Sequence, residues 1–130
     1  RSTLFPYTTL FRSTNLALSI IGEVNGHDVI LADDEIDTGG SMCNAIELVR
    51  KLGARDVYVN FVHPILSGNA AERLGALDVK RFITTDTVAI PDEKRAFFGN
   101  RLQVLTMSYL LGEVISRANR GVSVGSMFNE

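Results

Sequence analysis

The feature that most constrains the fold is the segment Val29–Met42, with the sequence VILADDEIDTGGSM. An apolar stretch, Val29–Ala32, leads through acidic residues to a Gly-Gly pair and then into a segment with helical periodicity. In that segment apolar residues recur every three or four positions, as on a buried helix face: Met42, Ala45, Ile46, Val49 and Leu52. Strand, polar turn and helix in this order are typical of α/β proteins. We therefore expect an open, mostly parallel sheet flanked by helices.

The rest of the chain fits the same architecture. Further strands are predicted at Asn15–Val24, Asp28–Ala32, Asp56–Val62, Phe82-Ile83, Val88–Ile90 and Leu102–Met107, the first two joined by a turn at Asn25-Gly26. Helices are predicted at Gly68–Gly75 and Leu110–Ala118, and Gly53 is expected to end the first helix in a left-handed conformation. Since no repeat or linker interrupts the chain, we expect one domain over residues 14–130.

The first thirteen residues differ in character from the rest of the chain. Arg1–Ser13, RSTLFPYTTLFRS, contains no acidic residue and no glycine, and it shows neither helical nor strand periodicity. It resembles a translated sequencing-library adapter, so we predict that it is non-native and exclude it from fold reasoning. On this interpretation the natural protein begins earlier, and its N-terminal half is missing here.

Composition narrows the function classes. The formal charge of −2 and the lack of a basic block argue against nucleic acid, and no apolar run approaches the roughly 18 residues of a membrane span. The single cysteine, Cys43, fits a reducing compartment, so we expect a cytoplasmic protein. The basic pairs Arg50-Lys51 and Lys94-Arg95 are predicted to be solvated.

The glycine-rich part of the key segment has the composition of a phosphate site. Gly39 and Gly40 allow the backbone to approach an anion closely, and Thr38 and Ser41 add hydroxyl donors. The adjoining helix offers free N–H groups and a partial positive charge at its N-terminus, and Ser41 is predicted to cap it. Neither G-x-G-x-x-G nor G-x-x-x-x-G-K-[ST] occurs, which excludes the usual dinucleotide and P-loop motifs.

The acidic residues before this site need a separate explanation, because carboxylates repel phosphate. Asp33 and Asp34 are suited to accept hydrogen bonds from neighbouring ribose hydroxyls while the 5-phosphate binds in the glycine loop. A Mg²⁺ ion, which prefers oxygen ligands, would offset the remaining repulsion, and Asp33 and Asp34 are its candidate ligands. The segment therefore predicts a site for ribose 5-phosphate.

Four motifs in order resemble the ribose-phosphate pyrophosphokinases, which share the type I phosphoribosyltransferase fold. They are VILADDEIDTGGSM, His63–Gly68 (HPILSG), Thr84–Thr87 (TTDT) and Leu110–Ile115 (LLGEVI), and Ser123–Phe128 is similar to that family's C-terminus. The resemblance covers Thr14–Glu130 and implies the C-terminal half of such an enzyme. It implies substrate contacts at Asp33, Asp34, Asp37, Thr38, Gly39, Gly40 and Ser41.

The resemblance also implies an activity. The intact family member transfers pyrophosphate from ATP to the 1-hydroxyl of ribose 5-phosphate, giving phosphoribosyl pyrophosphate and AMP, with Mg²⁺ as cofactor and as a homo-oligomer. Its catalytic basic residues lie in the missing half, so we expect no catalytic residue in this chain and no turnover by it alone. Ser123 and Phe128 fall on the family's regulatory pattern, from which Gly125 departs.

Several alternatives stay open. A type I phosphoribosyltransferase would use the same pocket with a catalytic lid and a base-binding hood, and a non-catalytic assembly subunit would keep only the fold. Asp33-Asp34-Glu35 also imitates the acidic pocket of a response-regulator receiver, although Asp78 precedes its predicted strand instead of ending one. His63 and Cys43 are interpreted as structural residues, and His27 as exposed.

Overall fold

The computed structural model describes residues 23–128, which build one parallel sheet with helices. Its strands are β1 (Val29–Glu35), β2 (Val57–His63), β3 (Arg81–Thr85) and β4 (Leu102–Leu105), arranged side by side in the order β1-β2-β3-β4. All three pairings are parallel. The predicted fold class, an α/β protein with an open parallel sheet, is confirmed.

The helices alternate with the strands. They are α1 (Gly40–Lys51), α2 (Ala70–Gly75), α3 (Asp92–Phe98) and α4 (Ser108–Asn119), with short 3₁₀ turns at Gly99–Arg101 and Gly125–Phe128. The left-handed conformation predicted for Gly53 at the end of α1 is confirmed, since its φ is +85°. The turn predicted at Asn25-Gly26 is also present, with the His27 N–H donating to the Val24 carbonyl at 3.0 Å.

The core lies on one face of the sheet, as the alternation of side chains along a strand requires. Leu31 pairs in register with Val59, and Val59 pairs with Phe82, and all three are buried. The helices contribute the rest of this cluster, including Ile46 of α1, Leu74 of α2 and Phe98 of α3. Within residues 23–128 the opposite face is exposed, with Ile30 72% and Leu105 47% accessible.

Arg101 connects the end of the helical layer to the sheet. Its guanidinium donates to the backbone carbonyls of Gly75, Leu77 and Val79, and it lies 5.7 Å from the centre of the Phe82 ring. Charged donors to buried carbonyls form strong hydrogen bonds. This side chain therefore fixes the start of β4 against α2 and β3.

One predicted element is wrong, and one observed helix was not predicted. Val88–Ile90 is not a strand, because the chain leaves the sheet after β3, where the Thr87 hydroxyl donates back to the Val62 carbonyl. The subsequent helix α3 was missed, since only Phe98 of its seven residues is buried and no apolar period marks it. Asn15–Val24 lies mostly outside the described residues, and its last two positions, Glu23 and Val24, are not in a strand.

The basic pairs are more involved in the fold than predicted. Arg50 donates to the carbonyls of Asp78, Ala54 and Arg55 and forms an ion pair with Asp78. Lys94 and Arg95 also bind backbone carbonyls, those of Leu66 and Ile90. The prediction that these residues are solvated rather than functional holds for the exposed Lys51 and Arg95, whereas Arg50 and Lys94 are only partly exposed and bind backbone carbonyls.

Helix α4 contains the whole predicted segment, Leu110–Ala118, but its apolar side is not buried. None of its residues is buried, and Leu111 and Ile115 on its apolar side are 52% and 67% accessible. In the described part of the chain, no helix is long and apolar enough to cross a bilayer.

Candidate functional site

The candidate site is an open cleft at the carboxyl end of β1, where ligands bind in open α/β sheets. Its volume is about 180 Å³. The lining residues are Asp33, Glu35, Ile36, Asp37, Thr38, Gly39, Gly40, Ser41 and Met42. Six of the seven predicted substrate-binding residues thus line one cleft. Glu35, which the substrate prediction did not include, lines it as well.

One end of the cleft is the start of α1. Gly39 has φ +72°, and its carbonyl accepts the first helical hydrogen bond from the Cys43 N–H at 2.9 Å. By helix geometry the N–H groups of Gly40, Ser41 and Met42 therefore have no partner within the helix, and they are available to an anion. The prediction that Ser41 caps this helix is wrong, because Gly39 occupies the N-cap position and Ser41 is inside the first turn.

Gly39 is also closely packed from behind. A Cβ atom at this position would lie 3.4 Å from Leu74 Cδ1 and 3.5 Å from the Ala70 Cβ of α2. A left-handed φ costs a residue other than glycine about 1–2 kcal/mol. The glycine is thus required by its backbone conformation and restricted by the helix against which the loop rests.

The acidic end of the cleft is formed by the end of β1. Asp33 lines the cleft, and its Oδ1 accepts the Asp34 N–H at 3.0 Å. Asp34 is the one predicted contact that does not line the cleft, and its Oδ1 accepts the Glu35 N–H at 3.0 Å. Neighbouring residues of a strand point to opposite faces, which explains why two adjacent aspartates are separated.

Asp33 differs electrostatically from an ordinary surface aspartate. Partial desolvation raises the pKa of Asp33 above its usual value, and the hydrogen bond and charge of the Asp34 carboxyl add to this rise. The Asp34 N–H donated to Asp33 acts in the opposite direction on the same pKa. Asp33 therefore takes up a proton at a higher pH than a fully solvated aspartate.

The turn Pro64–Ser67 is a part of the site that sequence reasoning missed. Leu66 has φ +52°, the single positive φ at a residue other than glycine in the described ranges, and it is fully buried. Its N–H donates to the Ile36 carbonyl at 2.8 Å, and the Ser67 N–H donates to the Asp37 carbonyl at 2.9 Å. The motif HPILSG contains turn-forming residues, Pro64 and Ser67-Gly68, but nothing in it predicts a left-handed Leu66, because leucine does not favour that conformation.

The neighbouring strand ends are joined by a hydroxyl network. The Thr85 and Thr87 hydroxyls both donate to the Val62 carbonyl, at 2.7 and 3.1 Å, and the Thr87 hydroxyl lies 2.9 Å from Nδ1 of His63. Asp86 accepts the Met107 N–H at 2.7 Å, and this bond lowers the pKa of the Asp86 carboxyl. His63 and the TTDT motif thus stabilise the carboxyl edge of the sheet, in keeping with the structural interpretation of His63.

The remaining predicted residues have simple environments. Cys43 is buried, and desolvation raises the pKa of its thiol, as expected for a packed residue. His27 is exposed, as predicted. The Ser123 carbonyl accepts from Arg117 and from the Ser126 hydroxyl, while Phe128 is 58% exposed.

Among residues 23–128, no three His, Cys, Asp or Glu side chains converge on a potential metal site.

Known proteins share both the sequence and the fold. Residues 6–129 match a family model described as the phosphoribosyl synthetase-associated domain. Over 110 residues the chain is 39% identical to the ribose-phosphate pyrophosphokinase of Deinococcus radiodurans, covering 85% of the chain and 34% of that protein. It is 40% identical to the Pasteurella multocida protein of the same name, covering 85% of the chain and 35% of that relative.

A solved structure agrees with these relatives. The crystal structure of phosphoribosylpyrophosphate synthetase from Mycobacterium smegmatis superimposes with a TM-score of 0.73 at 37% identity, covering 78% of this chain and 33% of the other. The chain therefore spans about a third of the length of the relatives it matches.

Proposed function

Because the chain belongs to the phosphoribosyl synthetase-associated domain family, we propose that its cleft binds ribose 5-phosphate. The longer protein of which it forms part would be a ribose-phosphate diphosphokinase. That reaction transfers pyrophosphate from ATP to the 1-hydroxyl of ribose 5-phosphate and releases AMP. We further propose that the chain corresponds to the C-terminal half of such an enzyme, that the intact enzyme is a homo-oligomer, and that Ser123 and Phe128 act in its regulation.

One observation carries the binding proposal. The cleft combines a carboxylate end with an end where backbone N–H groups have no partner within α1, separated by a short turn. Asp33 accepts hydrogen bonds from ribose hydroxyls, while the amides of Gly40, Ser41 and Met42 donate to the 5-phosphate. Thr38 and Ser41 add hydroxyl donors at the phosphate end. A site for phosphate alone would gain nothing from the carboxylates, which repel it.

The oxygen-rich cleft also fits a Mg²⁺ ion. Mg²⁺ in proteins is commonly held by one or two carboxylates together with substrate phosphates and waters, so a cluster of three protein ligands is not needed. Asp33, Glu35 and Asp37 line the cleft and are the candidate carboxylates for this ion, whereas Asp34, the second ligand expected from the sequence, lies outside the lining. When bound, the ion would neutralise phosphate charge, and in the intact enzyme it would assist pyrophosphate transfer.

The binding proposal is tested by titrating the chain with ribose 5-phosphate, ribose and inorganic phosphate, each with and without Mg²⁺, in a calorimeter. We expect ribose 5-phosphate to bind more tightly than either fragment, since both ends of the cleft are then occupied, and Mg²⁺ to increase its affinity. Equal affinity for ribose 5-phosphate and inorganic phosphate would contradict a role for the carboxylate end. No binding of any of the three would favour a non-catalytic assembly subunit.

A second measurement distinguishes binding from turnover. With ATP, Mg²⁺ and ribose 5-phosphate, we expect no AMP from this chain, because within residues 23–128 no cationic side chain lines the cleft to neutralise a transferring phosphoryl group. Steady AMP release by the purified chain would overturn the proposal that it supplies only the sugar phosphate half of the active site. Release of pyrophosphate from phosphoribosyl pyrophosphate when a base is added, with formation of a nucleotide, would instead indicate a phosphoribosyltransferase.

The raised pKa of Asp33 predicts how affinity depends on pH. The ionised form accepts the ribose hydroxyls, so affinity for ribose 5-phosphate should fall as pH decreases through this raised pKa, starting at a higher pH than for an ordinary aspartate. In Asp33→Asn this step should disappear and affinity at neutral pH should fall about tenfold. Inorganic phosphate is the control. Its own protonation also changes with pH, but it has no ribose hydroxyls to donate to Asp33. An unchanged pH profile in Asp33→Asn would exclude this role.

A further inference from the structure

A buried turn, Pro64–Ser67, lies directly behind the loop to which we assign the phosphate. We propose that this turn positions the loop, and that Leu66, held in a left-handed conformation, is its central positioning residue. The proposal rests on the function proposed above, and it adds a residue outside the cleft to that function. Leu66 does not line the cleft, so it would act through the backbone of Ile36 and Asp37.

Three backbone hydrogen bonds connect the two segments. The Ile36 N–H donates to the His63 carbonyl at 3.1 Å, directly after the last pairing of β1 with β2, at Glu35 and His63. The Leu66 N–H then donates to the Ile36 carbonyl, and the Ser67 N–H to the Asp37 carbonyl, at 2.8 and 2.9 Å. The strand pairing is thus continued beyond the sheet up to the residue that precedes Thr38.

The conformation of Leu66 makes the last two bonds possible. After the Ile65 N–H donates to the His63 carbonyl at 3.1 Å, the left-handed φ of +52° turns the chain so that two successive N–H groups face the loop. The side chain is fully buried in the core cluster, which anchors a backbone state that leucine rarely adopts. Such local strain persists where the surrounding structure fixes it, and it is common at functional sites.

A lysine from another element holds the opposite side of this residue. The Lys94 ammonium, from α3, donates to the Leu66 carbonyl at 2.8 Å in a partly buried environment. Leu66 is therefore fixed by its N–H, its carbonyl and its side chain together. The Ser67 carbonyl accepts the Ala70 N–H at 3.2 Å, so the same turn leads into α2, which packs against Gly39. The turn and α2 hold the loop from two directions.

The decisive experiment compares Leu66→Ala with Leu66→Gly in the 130-residue chain. Both variants remove the buried side chain, but only glycine adopts the left-handed φ without strain. If Leu66 contributes packing alone, alanine should bind ribose 5-phosphate as well as glycine or better. If the backbone conformation positions the loop, we expect glycine to retain about tenfold higher affinity than alanine, at equal folded fractions. Equal affinities, or tighter binding by the alanine variant, would overturn the proposal.

A milder variant tests the same point without a cavity. Lys94→Met keeps the aliphatic stem and removes the donor to the Leu66 carbonyl, and we expect about threefold weaker binding of ribose 5-phosphate, with partial rescue by Lys94→Arg. Lys51→Met, at the end of α1, is the control with the same charge change. For the two Leu66 variants the control is Val57→Ala, which also removes part of a fully buried side chain but lies at the opposite end of β2. Equal losses in Lys94→Met and Lys51→Met would count against the turn.

Amide hydrogen exchange separates failure of this proposal from failure of the binding proposal. If the wild-type chain does not bind ribose 5-phosphate, the function is wrong, but the role of the turn is still measurable in the free protein. We expect the amides at positions 66 and 67 and those of the phosphate loop, Thr38–Ser41, to exchange faster in Leu66→Ala than in Leu66→Gly or Val57→Ala. Exchange that rises uniformly with loss of stability in all three variants would show that the turn does not position the loop.

Discussion

Replacing Gly39 with alanine should weaken ribose 5-phosphate binding by about a factor of 100, the largest effect on binding that we expect from one methyl group. Two effects combine. Alanine is strained at φ +72°, and its Cβ would be in van der Waals contact with Leu74 of α2 at 3.4 Å, so the strained residue has little room to relax away from the cleft. The loop would shift towards the cleft, and the amides at the start of α1 would no longer point at the phosphate.

The matched control is Gly68→Ala. Gly68 has a similar φ of +57°, nothing lies within 4 Å of a Cβ there, and it does not line the cleft. Both variants should therefore lose a comparable amount of folding stability through backbone strain, about 1–2 kcal/mol, measured by urea denaturation. Only Gly39→Ala should lose affinity in the calorimetric titration. A similar affinity loss in both variants would mean that general destabilisation, and not the shape of the loop, controls binding.

Among substitutions that add one methyl group, the largest effect on stability is expected for Gly75→Ala. A Cβ at this position of α2 would lie only 2.8 Å from the carbonyl carbon of Phe97 in α3 and closer still to its oxygen. These are backbone atoms, so the clash cannot be relieved by rotating a side chain, and α2 and α3 must separate. Overpacking of this kind costs about 1–3 kcal/mol, and the displaced Gly75 carbonyl would also weaken its bond from Arg101.

Gly112→Ala provides the opposite case in another helix. Gly112 lies inside α4, and a Cβ there would meet nothing within 4 Å. Alanine favours a helix interior over glycine by about 0.5–1 kcal/mol, so this variant should be slightly more stable than the wild-type chain. Urea midpoints that move in opposite directions for the two substitutions would confirm the close approach of α2 and α3. A neutral Gly75→Ala would show that these helices are further apart than the structure places them.

Gly39 and Gly75 show which requirements for glycine can be predicted from the sequence. Gly39 stands in a motif whose order of strand, acids, glycines and helix is enough by itself to predict a glycine loop before the helix. Gly75 was predicted only as the end of a short helix, because its requirement comes from Phe97, a residue of α3 that the sequence did not reveal as helical. A glycine needed for close approach of two elements is indistinguishable in sequence from one that ends a helix.

Periodic segments were predicted well, while short ones were not. The predicted strand at Asp56–Val62 and the first helix match β2 and α1 to within about two residues, because their buried faces repeat along the chain. Helix α3 buries one residue of its own, so its position depends on bonds such as Arg95 to the Ile90 carbonyl. The family predicted from the four motifs is confirmed, whereas the C-terminal placement, the Mg²⁺ site and the regulatory residues stay predictions.

The segment Val29–Met42 on its own determined the class of fold and the residues of the cleft. Its apolar strand, glycines and helical period are local properties, and local hydrogen bonding and side-chain alternation act on them directly. Strand alternation separates Asp33 from Asp34, but tertiary structure alone decided which of the two faces the cleft, and that the Leu66 N–H meets the Ile36 carbonyl. Those outcomes depend on which distant carbonyls and side chains meet, and residues far apart in the chain determine this jointly through packing.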